Sequence, residues 1–203
     1  MRDAYLVGAG QSDYGAFPAE SYRSLFRTAF DAATDSVPKG LEAGDVDEAF
    51  VGTLGVGGRQ LGLSGPAVTE HVGLDGVPTT RVENACAASG FAVRQAVQAV
   101  KSGMADVVLA GGFEIMSDMS SDATKYWLGV SGETEWERLS GTTFSGVYAR
   151  WRRSTWSSTA LRASTSRGSP SRTTKTARRT PTRSWASSAR SRTPSPRRSS
   201  RTR

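Results

Sequence analysis

At Ala149/Arg150 the chain changes its amino-acid language, and that change limits how much of it can fold. The 54 residues from Arg150 to Arg203 hold 15 Arg, 14 Ser, 10 Thr, 5 Ala, 4 Pro and 3 Trp, one Lys, one Gly and one Leu, with no Asp, Glu, Val, Ile, Phe or Tyr. A segment with so few aliphatic side chains has almost nothing to bury against the entropy of ordering it. Residues 150–203 are therefore expected to form a disordered basic tail, separate from a folded domain over residues 1–149.

The genetic code gives this composition a cause. Arg, Ser, Thr, Ala, Pro, Trp and Gly all have codons with G or C in the middle position, and only Leu161 and Lys175 break that pattern in the tail. A GC-rich gene carries G or C at nearly every third position. A slip that makes the old third base the new second base produces such a composition automatically, so a frameshift near residue 149 is expected. The rival reading is a genuine basic tail that binds nucleic-acid phosphates by counterion release. Regular Arg-Ser repetition is missing and Lys and Gly are scarce, which disfavours it.

Whole-chain charge misleads for the same reason. Residues 1–149 carry 10 basic and 19 acidic side chains, a net of −9, while the tail adds +16. About 150 residues suffice for one domain with a real core. No run of eighteen apolar residues and no charged-then-apolar leader occurs, so neither a membrane span nor a signal peptide is expected. The single cysteine allows no internal disulfide, and a cytoplasmic protein is the simplest expectation.

Within residues 1–149 short apolar runs alternate with amphipathic stretches. Ala4–Gly8 reads as a buried strand, and Ser21–Ala33 as a helix with Tyr22, Leu25, Phe26, Ala29, Phe30 and Ala33 on its apolar side. Ala49–Gly52 predicts a second strand, Ser64–Val72 a short helix stopped by Gly73, and Thr79–Val82 a third strand. Residues 87–102 predict a long helix with Phe91, Val93, Ala96, Val97 and Val100 inward and Gly103 as its stop. Ala105–Gly111 is the clearest strand, and beyond Gly112 the pattern becomes irregular. Strands separated by helices imply an α/β fold with a largely parallel, helix-covered sheet.

Three places invite chemistry. Gly8-Ala9-Gly10 follows a strand, but Asp13 stands where a dinucleotide fingerprint needs its third glycine and Pro18 interrupts the helix, so the segment reads as a turn. His71, beside Glu70, is the sole histidine and has no partner at metal-ligand spacing; it reads as structural or simply exposed. The third place is Asn84-Ala85-Cys86-Ala87-Ala88-Ser89-Gly90. A thiol between a strand end and the first turn of a helix meets unpaired N–H groups and the positive end of the dipole, which favour the thiolate. Small neighbours let a bulky thioester approach and leave N–H groups free for an oxyanion. A buried cysteine acting as a small apolar residue is the bland alternative, and the residues alone leave both open.

Val82-Glu83-Asn84-Ala85-Cys86-Ala87-Ala88-Ser89-Gly90, followed by Asp106-Val107-Val108-Leu109-Ala110-Gly111-Gly112-Phe113-Glu114-Ile115-Met116-Ser117, resembles the amino-terminal half of a thiolase. The opening Tyr5–Gly15 and Asp47–Gly52 are similar to the same family, in its sterol-carrier-protein type. The resemblance covers residues 1–149 in order. It implies a thiolase-like αβαβα fold, of which only the amino-terminal half is present, and a loop region after Ser117 that cradles coenzyme A. It further implies that Cys86 is the catalytic nucleophile that takes an acyl group as a thioester, with a coenzyme A thioester as substrate and no tightly bound cofactor or metal.

The second cysteine and the histidine that handle protons in thiolases come from the other half, and His71 matches neither. Nothing in residues 1–149 is placed as the base that condensation needs, so this product is expected to be inactive while its intact parent forms or cleaves a 3-ketoacyl-CoA. Half of a two-half enzyme also exposes apolar surface. The family implies a homodimer or homotetramer for the parent, and its archaeal members suggest a zinc-ribbon/OB-fold partner. Two relatives of the same fold compete: ketoacyl synthases, whose cysteine sits in an Ala-Cys-Ser-Ser context, and hydroxymethylglutaryl-CoA synthase, for whose glutamate base Glu83 or Glu114 could be mistaken.

Overall fold

A computed structural model describes residues 2–159, with side chains as far as Ser154. Met1–Arg150 forms one compact unit that holds the sheet, the helices covering it and Cys86. Residues 160–203, most of the expected disordered tail, lie outside the described residues.

The core is a parallel sheet of β1 (Glu48–Gly52), β2 (Thr79–Val82) and β3 (Val108–Gly112) in the order β2-β1-β3. Ala49 pairs with Thr79 on one side of β1 and with Leu109 on the other, and both pairings run parallel. Helix α1 (Tyr22–Asp35) starts at Ser21, whose hydroxyl accepts from the Ser24 N–H while the Ser24 hydroxyl accepts from Ser21 N–H. That reciprocal cap fixes the helix start without an acidic residue. Helix α2 (Ser64–His71) and α3 (Ala88–Ser102) follow β1 and β2, and Gly103 ends α3 in the left-handed conformation at φ +82°.

Alternation along the strands divides the core in two. Val51 faces Phe26 and Phe30 of α1, Val68 and Val72, and Leu74. Phe50 and Val82 face Ala92, Ala96 and Ala99 of α3. The result is three layers, helices on both faces of the sheet, as the strand–helix alternation predicts.

Four expectations need correction. Ala4–Gly8 is not a strand: Tyr5, Leu6 and Val7 are exposed and join no ladder. Gly8 and Gly10 are instead drawn onto the last turns of α1, where Ala9 N–H donates to the Ser36 hydroxyl at 3.0 Å. The same crossing replaces the turn expected at Gly8-Ala9-Gly10; the glycines serve close approach, since a Cβ on Gly8 would lie 2.6 Å from the Ala33 carbonyl oxygen. The inward face of α3 is Ala88, Ala92, Ala96 and Ala99, while Phe91, Val93 and Val97 are exposed. Finally, residues after Gly112 are not irregular: α4 (Ser121–Gly129), a π turn at Thr134–Arg138 and α5 (Phe144–Thr159) follow. Ser120 caps α4, and the Glu133 carboxylate accepts from Trp136 N–H at 2.6 Å, so side chains supply the ends that the hydrophobic period did not signal. Among the described residues no helix is long and apolar enough to cross a membrane.

β3 begins three residues later than Ala105 because the Asp47 carboxylate takes the N–H groups of Asp106 and Val107, at 2.8 and 3.0 Å. The bond from Val107, then that from Asp106, holds the Asp47 carboxyl below its ordinary value. A depressed folded-state value adds stability above the unfolded-state value that is lost as pH falls through the folded one. Asp47→Asn is accordingly expected to lower the melting temperature at neutral pH, with the gap to the unaltered chain closing in acid. Thermal scans at neutral and acid pH check this; a gap that persists unchanged in acid would assign the effect to packing.

Candidate active site

All three strands run parallel, so the segments leaving their carboxyl ends meet on one side of the sheet. The β2 exit carries Cys86. Val82 ends the strand, Asn84 and Ala85 turn the chain, and Cys86 sits in a single 3-10 turn, Ala85–Ala87, before α3. The exposed cysteine is one short turn ahead of the α-helix rather than within it.

Ala85 adopts φ +47°, the one non-glycine left-handed residue among the described residues. Such a conformation costs on the order of 1–3 kcal/mol and persists only where its surroundings enforce it. Glu83 enforces it here by accepting the Ala85 N–H at 2.6 Å, and Asn84 carbonyl accepts the Ala87 N–H at 2.9 Å. The start of α3 has no side-chain cap. The Ala88 N–H is taken by the Ala85 carbonyl, whereas those of Ser89 and Gly90, in the first turn, have no intrahelical partner and lie at the positive end of the helix dipole.

Close contact between helix and sheet sets this elbow. A Cβ on Gly52 would stand 2.6 Å from Ser89 nitrogen, and one on Gly112 would collide with the Ser89 hydroxyl. Glycine at the ends of β1 and β3 is what lets α3 start so near the sheet.

The β1 exit, Thr53–Leu63, contains Gly55, Gly57, Gly58 and Gly62, all with positive φ. Glu114, on the β3 exit, holds it. One Glu114 oxygen accepts from Leu54 N–H at 2.8 Å, Gly55 N–H at 3.4 Å and the Thr53 hydroxyl at 3.2 Å; the other accepts from Val56 N–H at 2.7 Å. Fully buried Gln60 donates from its amide nitrogen to the carbonyls of Val56 and Ile115 and accepts the Ile115 N–H on its amide oxygen. Arg59 pairs with Asp118. The sequence pattern gave no sign of Gln60 and brought up Glu114 only as a residue that could be mistaken for a base; four glycines in one short loop were the signal that partners must fix it. With four donors on its two oxygens, Glu114 is committed to holding the β1 exit. Glu83, bonded to Ala85, shapes the elbow.

His71 lies exposed at the end of α2, on the far side of that helix from its start; its carbonyl accepts from Arg27 at 2.9 Å. The structure does not bring it to Cys86. Among the described residues no three His, Cys, Asp or Glu side chains gather as a metal-binding set.

A parallel sheet covered by helices on both faces, with an exposed cysteine on a strained strand-to-helix elbow, defines an α/β protein of the helix-covered parallel-sheet class. The family comparison places it further: the model for the thiolase amino-terminal domain matches residues 4–160, and the chain belongs to that family. It is 41% identical over 152 residues to an acetyl-CoA acetyltransferase of Methanocaldococcus jannaschii, covering 73% of this chain and 37% of that protein. A second acetyl-CoA acetyltransferase, from Methanothermobacter thermautotrophicus, is 34% identical over 151 residues, covering 73% and 38%. Human sterol carrier protein 2 is 31% identical over 118 residues, covering 58% and 21%. The chain thus spans less than two fifths of the length of the acetyltransferases it matches. The family match runs through the whole of α5 to residue 160, past Arg150, where the Arg/Ser/Thr-rich composition begins.

Proposed function

We propose that this chain is the acyl-accepting half of an acyl-CoA C-acyltransferase, with Cys86 as its nucleophile. The observation that carries the reading is the elbow: an exposed thiol between Ala85 at φ +47° and an uncapped helix start. The Cys86 sulfur attacks the thioester carbonyl carbon, a new carbon–sulfur bond forms, and the bond to the coenzyme A sulfur breaks. The thiol proton leaves with the coenzyme A sulfur as free thiol. The N–H groups at the start of α3 stabilise the oxyanion in between.

Acetyl-CoA is the substrate that the names of the two archaeal relatives favour, and the parent reaction is formation or cleavage of acetoacetyl-CoA. Removing a proton next to a carbonyl is work for a carboxy-terminal half, and the Arg/Ser/Thr-rich residues after 149 have the composition that a change of reading frame before that half would leave. β2 lies at the sheet edge beside the elbow, the place for pairing with a second copy in the parent. A cytoplasmic enzyme using a diffusible coenzyme A thioester, without a tightly bound cofactor, follows from the same reading. The test is to mix the chain with acetyl-CoA and measure released thiol against protein. Release matched by an acetyl group mapped to the peptide carrying Cys86 supports the reading; release without an adduct there overturns it.

A further inference from the structure

The Thr53–Gln60 loop stands between the exits of β2 and β3 and is gripped from both. From β2, Arg81 donates to the carbonyls of Thr53 and Leu54 at 3.2 and 3.3 Å, and Val82 carbonyl accepts Thr53 N–H at 3.1 Å. Four residues after Val82 comes Cys86. From β3, Phe113 N–H donates to Gly52 carbonyl at 3.2 Å, and Glu114 and Ile115 take the bonds described above. Three successive N–H groups, those of Leu54, Gly55 and Val56, reach one carboxylate, the Gly55 N–H being shared with the Thr53 hydroxyl at 3.1 Å, which makes the turn an anion nest filled from within the chain. Positive φ at Gly55, Gly57 and Gly58 means this loop has much freedom to regain once the anion is gone.

We propose that Glu114 is a positioning residue of the acyl-transfer site: its carboxylate fills the Leu54–Val56 nest and so fixes the loop as the wall beside which a thioester meets Cys86. The inference rests on Cys86 being the acyl acceptor. A small reagent needs only the thiol, whereas a thioester must be held against the wall, so the two report on different things. Loss of the carboxylate frees the wall without touching the Glu83–Ala85 bond that shapes the elbow.

The experiment uses the full chain with Glu114→Ala and Glu114→Gln. Misplacement of a bound substrate by about 1 Å costs on the order of 100-fold in rate, so both variants should acylate Cys86 from acetyl-CoA at least ~10-fold more slowly. Alkylation of Cys86 by iodoacetamide should be essentially unchanged. Gln fills the same volume but turns an amide –NH2 toward N–H donors, so it should not restore the rate. Added formate or acetate should restore acylation in Glu114→Ala by refilling the nest, while chloride at matched ionic strength should not. Unchanged acylation in both variants overturns the proposal. So does parallel loss of acylation and alkylation without carboxylate rescue, the behaviour of a residue needed only for folding. Absence of any adduct in the unaltered chain is a separate failure; it removes the nucleophile reading, and this inference falls with it.

Discussion

Gly52→Val is expected to unfold the domain or leave it barely stable, although glycine to valine in a strand is favourable by propensity alone. The Cβ alone would stand 2.6 Å from Ser89 nitrogen and 2.8 Å from the Ala88 carbonyl carbon, both backbone atoms that cannot swing away. Relief requires α3 to lift from the sheet, exposing Ala92, Ala96 and Ala99 together with Phe50 and Val82 beneath them. Overpacking typically costs about 1–3 kcal/mol, and a backbone clash belongs at or above the top of that range. Against a total of roughly 5–15 kcal/mol for a domain, that is a large fraction. Gly90→Ala is the control of opposite sign: nothing lies within 4 Å of its Cβ, it sits inside α3, and alanine should gain up to about 1 kcal/mol there. Urea midpoints of the two variants check the pair. Equal midpoints would mean that α3 does not seat on the ends of β1 and β3.

Cys86→Ser is the second large effect. The variant should bind and fold as before, since Cys86 is exposed, yet release no coenzyme A beyond background on mixing with acetyl-CoA. A serine hydroxyl is a weak nucleophile without an adjacent base, and the elbow offers none: Glu83 is bonded to Ala85 and His71 is on the far end of α2. Acetyl label that survives in the serine variant, or that maps to another residue in the unaltered chain, would remove Cys86 from its role.

Helices α1, α2 and α3 and strands β1 and β2 were legible because their hydrophobic periods are local properties. Ala4–Gly8 shows where that ends. An apolar run says that a segment favours extension, but the neighbour it meets decides whether it joins a ladder, and Gly8 and Gly10 lie against α1 rather than on the open outer edge of β2 or β3. The inward face of α3 failed for a related reason. Phe91, Val93 and Val97 are the larger apolar residues, yet Gly52 and Gly112 bring the sheet so close that only an alanine face fits. At the candidate site, the place of Cys86 between a strand end and a helix was legible. The strain at Ala85, the Glu83 bond that maintains it and the Glu114 nest were not, because each is a backbone conformation met by a side chain from a different exit.

The coding DNA downstream of residue 149, read in the alternative frame, tests the central claim that this chain is a thiolase half whose reading has slipped. Trp has one codon, UGG, so Trp151, Trp156 and Trp185 must each correspond there to a codon ending in UG, which encodes Leu, Met or Val, followed by one beginning with G. Trp185-Ala186 is sharper still, because UGG followed by an alanine codon forces glycine at the second place, and Lys175-Thr176 forces Asn or Asp. The account predicts an open frame that meets these constraints and continues into a thiolase carboxy-terminal half with a Gly-His-Pro-like element. Stop codons within a few dozen codons of that frame, or an open frame without the family's second half, would contradict it.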